Sequence, residues 1–180
     1  MNFVQPIRDQ EKVDAIKAYF RKDSQRNYLL FLMGINTGLR VSDILKLKVG
    51  DVKEKHITIR EQKTGKQKWI MITPALRREL KACIGDRQDD EFLFKSRQGG
   101  NKPIGRSMAY KILRNAATAF KLKDIGTHTM RKTFGYHFYQ QTKDVAMLQE
   151  IFNHSSPDIT LKYIGVNQDG MDKAMSKFRI

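Results

Sequence analysis

The chain is poor in features that many protein classes depend on. Cys83 is the single cysteine among 180 residues, so neither an internal disulfide nor a Cys-rich zinc site can form, which points to a reducing compartment, the cytoplasm fitting best. Its 4 Pro and 12 Gly gather into no low-complexity linker, and no internal repeat divides the chain. Long apolar runs are missing too. The stretch free of Lys, Arg, Asp and Glu from Asn27 to Leu39 is well short of the roughly 20 residues a membrane-crossing helix needs, and MNFVQPIRDQ has no apolar signal core, so no membrane association is expected. There is no GxxxxGK[ST] loop, and Gly34, Gly38 and Gly50 form no dinucleotide fingerprint. His56, His128, His137 and His154 lack CxxC partners or an HExxH pair, so neither metal nor organic cofactor is expected. Asp89-Asp90-Glu91, the densest acidic stretch, reads as a solvated turn.

Acid is also scarce: 19 Asp+Glu face 34 Lys+Arg, a formal net charge of +15. A surplus of that size attracts a polyanion, nucleic acid foremost. The basic residues are interleaved with apolar ones along the chain, so the partner would meet a folded basic surface. At 40% hydrophobic and 29% charged the composition is that of a folded domain. A chain this long buries roughly 70% of its unfolded surface, enough for one core over 1–180.

Periodicity supplies the elements. Val13, Ile16 and Phe20 recur at helical spacing after Asp9; Ser24 opens a second, almost wholly apolar helix that Gly38 stops; Val41, Ile44 and Leu45 restart a helical face at Arg40. The period then becomes that of strands: Ile57 and Ile59, then Ile70 and Ile72, alternate on either side of Lys63-Thr64-Gly65-Lys66, which reads as a hairpin. Helices follow from Pro74 (stripe Leu76, Leu80, Cys83), from Ser107 as cap (Met108, Ile112, Ala116, Phe120), after Thr127 (Phe134, Phe138), from Asp144 (Leu148, Phe152) and from Ser156-Pro157 (Ile159, Tyr163). The final segment, Asp169 to Ile180, carries Met171, Met175 and Phe178. The expected class is mainly α with a small antiparallel β-sheet.

Taken singly, the chemically able residues have ordinary readings: Arg40 as a surface arginine, Lys63 as a turn lysine, His128 and Arg131 as helical neighbours, His154 as a loop residue, Tyr163 as a core tyrosine. Taken in order they resemble something specific. Thr37-Gly38-Leu39-Arg40-Val41-Ser42-Asp43-Ile44-Leu45-Lys46-Leu47 resembles the first-arginine box of the tyrosine recombinases, the phage integrase family. His128-Thr129-Met130-Arg131 resembles that family's H-x-x-R, and Ile151-Phe152-Asn153-His154-Ser155-Ser156 with Tyr163 its closing box; Lys63 stands where the family keeps its hairpin lysine. Asn153 stands where relatives commonly have Gly; it too can adopt a left-handed conformation.

The resemblance implies a metal- and ATP-independent enzyme that cuts and rejoins double-stranded DNA. Tyr163 would be the nucleophile forming a 3′-phosphotyrosyl link, His128 the base, and Lys63 the acid for the leaving 5′ oxygen. Arg40, Arg131 and His154 would donate to the phosphate, with Asp43 orienting Arg40. It further implies a single catalytic domain over 1–180 without the family's amino-terminal core-binding domain, self-association on DNA through the carboxy-terminal helix, and accessory DNA-binding proteins. The alternatives are a type IB topoisomerase-like relaxing enzyme, which shares the chemistry, and a non-catalytic DNA-binding regulator. Cys83, on an apolar stripe, reads as a packing residue.

Overall fold

The structure is a computed structural model that describes residues 4–179. Ile180, at the end of the predicted final segment, and Met1 to Phe3 of the amino-terminal reading lie outside the described residues. Helix α1 (Gln10–Asp23) starts where the Asp9 carboxylate accepts from the amides of Glu11 and Lys12, and α2 (Gln25–Thr37) where Ser24 accepts from Asn27. Helix α2 is the central element: Tyr28 to Gly34 are all buried, which explains why its sequence is apolar on every side. It packs on α1, on α4 (Pro74–Ile84) and on α6 (Thr129–Thr142).

Gly38 ends α2 at φ +63°, and a Cβ there would lie 2.6 Å from the Phe134 ring, so both backbone conformation and space demand glycine. The turn leads into the short helix α3 (Val41–Ile44), with Arg40 at its N-cap. Strands β1 (His56–Arg60) and β2 (Gln67–Met71) form the expected antiparallel hairpin, Ile57 opposite Ile70 and Ile59 opposite Lys68. Helix α5 (Arg106–Ala119) follows, then α6, α7 (Val145–Phe152), α8 (Pro157–Ile164) and α9 (Val166–Lys177).

Three details depart from the sequence reading. Helix α5 begins at Arg106 with Gly105 as N-cap, so Ser107 is not the cap; the Ile104 amide bonds to the Phe94 carbonyl at 2.8 Å and its side chain is buried, which starts the helix earlier. The buried face of α5 is Ala109, Ile112, Leu113, Ala116 and Ala117, leaving Met108 45% exposed, because small residues let the helix approach α1 and α3 closely. On α8 the buried residues are Thr160 and Ile164, whereas Ile159 faces outward. Cys83 is half-buried beside the buried Leu80 and Ile84, as a packing residue would be.

The core has two parts. The larger joins α1 to α5 and the hairpin; the smaller, Leu148, Phe152 and Ile164, sits among α6, α7 and α8. Burying each such side chain contributes about 1.5–3 kcal/mol. Gly135 of α6 permits the second cluster, since a Cβ there would meet Phe152 and Ile164 at 2.7 Å. Among the described residues no helix is long and apolar enough to cross a membrane.

Candidate active site

The site lies at the seam between the two clusters, and Arg131 is its fixed point. On α6 and only 3% exposed, it donates through Nη1 to the Gly38 carbonyl at the end of α2 and through Nη2 to the Phe152 carbonyl at the end of α7, 2.9 Å away. Its guanidinium also lies 4.3 Å from the centre of the Phe152 ring. Two carbonyls left over by helix ends thus orient a charge that burial alone would disfavour, and a side-chain hydrogen bond links the same guanidinium to Tyr163.

Around it a cleft of about 380 Å³ is lined by Arg40, Val41, Ser42, Gln62, Lys63, Arg106, Thr127, His128 and Arg131. Arg40 reaches it from the start of α3, Lys63 from the hairpin turn, Arg106 from the start of α5 and His128 from the N-cap of α6. The lining is cationic with no carboxylate, the character of an anion site.

Tyr163, on α8, points its hydroxyl at His128, with Oη 3.4 Å from Nδ1. Its ring meets Phe152 edge-on at 5.5 Å and His154 at 5.1 Å, and the Lys132 ammonium lies 4.9 Å from the ring centre. Burial raises the phenol above its ordinary 10.0, outweighing the opposite pull of Arg131 and Arg40, so the resting hydroxyl carries its proton. His128 moves the other way: partial burial, then Arg131, Lys132, Arg40 and Arg106, hold it below its ordinary 6.5, hence neutral and able to accept at neutral pH.

His154 follows Asn153, the C-cap of α7, which adopts φ +55° in the left-handed region. The Lys66 ammonium donates to the Asn153 side-chain carbonyl at 2.8 Å, which helps hold Asn153 in place. His154 Nδ1 lies 3.1 Å from the Thr160 hydroxyl, which itself donates to the Ser156 carbonyl; the ring therefore donates from Nδ1. Burial first, then Arg131, Arg40, Lys68 and Lys63, push its pKa down to about 4.

All six positions singled out as catalytic border one locus, but Asp43 does not take the part expected of it. The carboxylate on Arg40 belongs to Glu61, whose Oε1 accepts from Arg40 Nη1 at 2.7 Å; Asp43 is buried and accepts instead from the Gln62 amide at 2.9 Å. The reason is reach: Arg40 is the N-cap and points toward the hairpin, while Asp43 faces inward beneath the turn. Glu61, Lys68 and Arg106 were not singled out from the sequence. Their signal was present for two of them, since the alternation Ile57, Ile59 carries on to Glu61 and the alternation Ile72, Ile70 back to Lys68, placing opposite charges on an inward face.

The acidic stretch is a turn in which Asp89 pairs with Lys53, and Glu91 with Arg87 and Lys95. Among the described residues no group of three or more His, Cys, Asp and Glu side chains converges on a point that could hold a metal ion.

A mainly helical domain that gathers two arginines, a histidine and a hairpin lysine along one cleft, with a tyrosine and a second histidine beside it, has the arrangement its sequence boxes resemble, and the chain belongs to the phage integrase family, whose sequence profile matches residues 8–169. It is 51% identical over 179 residues to the probable integrase/recombinase YoeC of Bacillus subtilis (strain 168), covering 99% of this chain and 98% of that relative. It is 28% identical over 172 residues to the tyrosine recombinase XerA of Pyrococcus furiosus, covering 93% of this chain and 60% of the relative. Its fold is similar, at a TM-score of 0.72 and 20% identity, to the XerH site-specific recombinase solved bound to palindromic difH substrate, over 97% of this chain and 53% of that one.

Proposed function

We propose that residues 1–180 form a single catalytic domain of a site-specific recombinase or integrase that cuts and rejoins double-stranded DNA one strand at a time. The observation that carries this reading is the Tyr163 hydroxyl beside a neutral His128 at the edge of a cleft whose charged residues are all cationic. Arg40 and Arg131 hold the non-bridging phosphate oxygens with the donors that Glu61, Gly38, Phe152 and Tyr163 leave free, and His154, whose Nδ1 hydrogen faces Thr160, donates from Nε2 once the phosphate's charge has brought the ring a second proton. The Tyr163 oxygen forms a bond to phosphorus while the bond to the 5′ oxygen breaks; the phenolic proton passes to His128, and Lys63 protonates the departing oxygen. The product is a 3′-phosphotyrosyl enzyme and a free 5′ hydroxyl. Because the ester conserves the broken bond, the reverse reaction rejoins DNA without a nucleotide cofactor, and the arginines supply the positive charge a metal would otherwise bring.

Residues Met171, Met175 and Phe178, each more than half exposed on or just after α9, give the second element of the proposal: α9 packs on a neighbouring protomer assembled on DNA. Accessory DNA-binding proteins are a further proposed class of partner, and the cytoplasm the proposed compartment.

The test is incubation with a nicked suicide duplex followed by a denaturing gel. A covalent protein–DNA adduct is expected from the native chain and none from Tyr163→Phe. Absence of adduct across a range of sites, or an undiminished one from the variant, contradicts the reading. Supercoiled plasmid relaxed without any recombinant product would reassign the chain as a relaxing enzyme.

A further inference from the structure

We infer that Glu61 is a positioning residue for strand cleavage, an enclosed carboxylate that sets the acid Lys63 against the phosphate clamp Arg40. The inference rests on the cleavage reading above and concerns a residue that touches no DNA. The Glu61 side chain has no exposed surface, a costly place for a charge unless its oxygens are filled by donors. They are filled by groups that belong to different parts of the site. Oε1 takes Arg40 Nη1 at 2.7 Å and faces Lys68 Nζ at 3.2 Å, while Oε2 takes the Thr64 hydroxyl at 2.7 Å.

Each contact ties down a neighbour of the chemistry. Thr64 adjoins Lys63 in the turn, and the turn is closed by the Gly65 amide on the Glu61 carbonyl and the Glu61 amide on the Lys66 carbonyl, both at 2.9 Å. Asp43, three residues beyond Arg40, grips the other neighbour of Lys63 through the Gln62 amide. Lys68 donates to the Ile151 carbonyl, close to the turn that carries His154. Lys63 itself is exposed, and the contacts that fix its place are those of Gln62 and Thr64. One carboxylate therefore sets the separation between the group that holds the phosphate and the group that protonates its leaving oxygen. Glu61 stays ionised in this role: burial opposes the charge, but the Thr64 hydrogen bond, Lys68 and Arg40 outweigh it and hold the acid below its ordinary 4.5.

The test compares cleavage of an ordinary nicked duplex with one whose scissile phosphate carries a 5′-bridging sulfur, a leaving group that departs without a proton. Lys63→Ala should lose on the order of a hundredfold on the oxygen substrate and recover on sulfur. Glu61→Gln, of nearly the same shape, should lose roughly tenfold to a hundredfold on oxygen through misplacement and regain most of it on sulfur. Thr64→Val, which cuts only the turn side of the carboxylate, should show the same pattern more weakly, and it decides the matter if Glu61→Gln fails to fold by circular dichroism. Wild-type rates for both variants, or equal losses on both substrates, overturn the inference. If the native chain makes no adduct with either substrate, or Tyr163→Phe makes one, the cleavage reading itself falls and the role of Glu61 with it.

Discussion

His154 titrates at about 4 because burial and the charges of Arg131, Arg40, Lys68 and Lys63 all oppose a further proton. The sign of the linkage follows: between the ordinary 6.5 and about 4 the unfolded chain binds a proton that the folded chain refuses, so stability is lost as pH falls through that window. His128, also depressed, adds to the loss. Thermal unfolding measured from pH 7 to pH 4 should show this decline, shallower in His154→Asn. An anionic phosphate reverses the preference at His154, so DNA binding should take up a proton and tighten as pH falls, an effect weakened in the same variant and read by titrating labelled duplex. Cleavage runs oppositely: protonated His128 cannot accept from Tyr163, so the single-turnover rate should drop on an acid limb whose midpoint lies below 6.5. Arg131→Lys should lose cleavage by about a hundredfold or more, because one ammonium cannot serve the Gly38 and Phe152 carbonyls together and still face a phosphate. Leaving a carbonyl unpaired there should also cost about 1–3 kcal/mol in denaturant unfolding.

At the scale of elements, the ends of helices aim the chemistry. The left-handed stop at Gly38 turns α2 into α3 and delivers Arg40, while that at Asn153 delivers His154. Gly38→Ala combines strain with a 2.6 Å approach to Phe134, so it should destabilise the chain by about 1–3 kcal/mol and slow cleavage. The stop at Gly38 and the caps Asp9, Ser24, Asp144 and Ser156 were legible along the chain, because a cap is a local hydrogen bond between a side chain and amides two or three residues on. The α5 start was not, since tertiary burial of Ile104 decides it. Arg40, Lys63, His128, Arg131, His154 and Tyr163 were legible as an ordered set, from types and boxes that no single residue reveals. The partner of Arg40 was not: proximity along a helix favoured Asp43, whereas the contact crosses to the hairpin and Glu61. Period-two alternation placed Glu61 and Lys68 inward, but their meeting depends on the register of β1 against β2.

For the whole molecule, charge and an exposed helix govern what it joins. A net +15 spread over a folded surface predicts binding dominated by counterion release, with duplex affinity falling about a hundredfold or more between roughly 50 and 200 mM salt. Helix α9 has no buried residue, and Met175 is 68% exposed. Met175→Glu should therefore leave the melting temperature of the free chain unchanged while reducing the higher-order complexes seen with DNA in native gels. An unaltered pattern of complexes would remove α9 from the assembly.

The most direct measurement is mass spectrometry of the protein–DNA adduct trapped on a suicide duplex and digested with protease and nuclease. The account predicts a single modified peptide in which Tyr163 carries a 3′-linked nucleotide, with a free 5′ hydroxyl on the released strand. Attachment at any other residue, or through a 5′ phosphate, would contradict it.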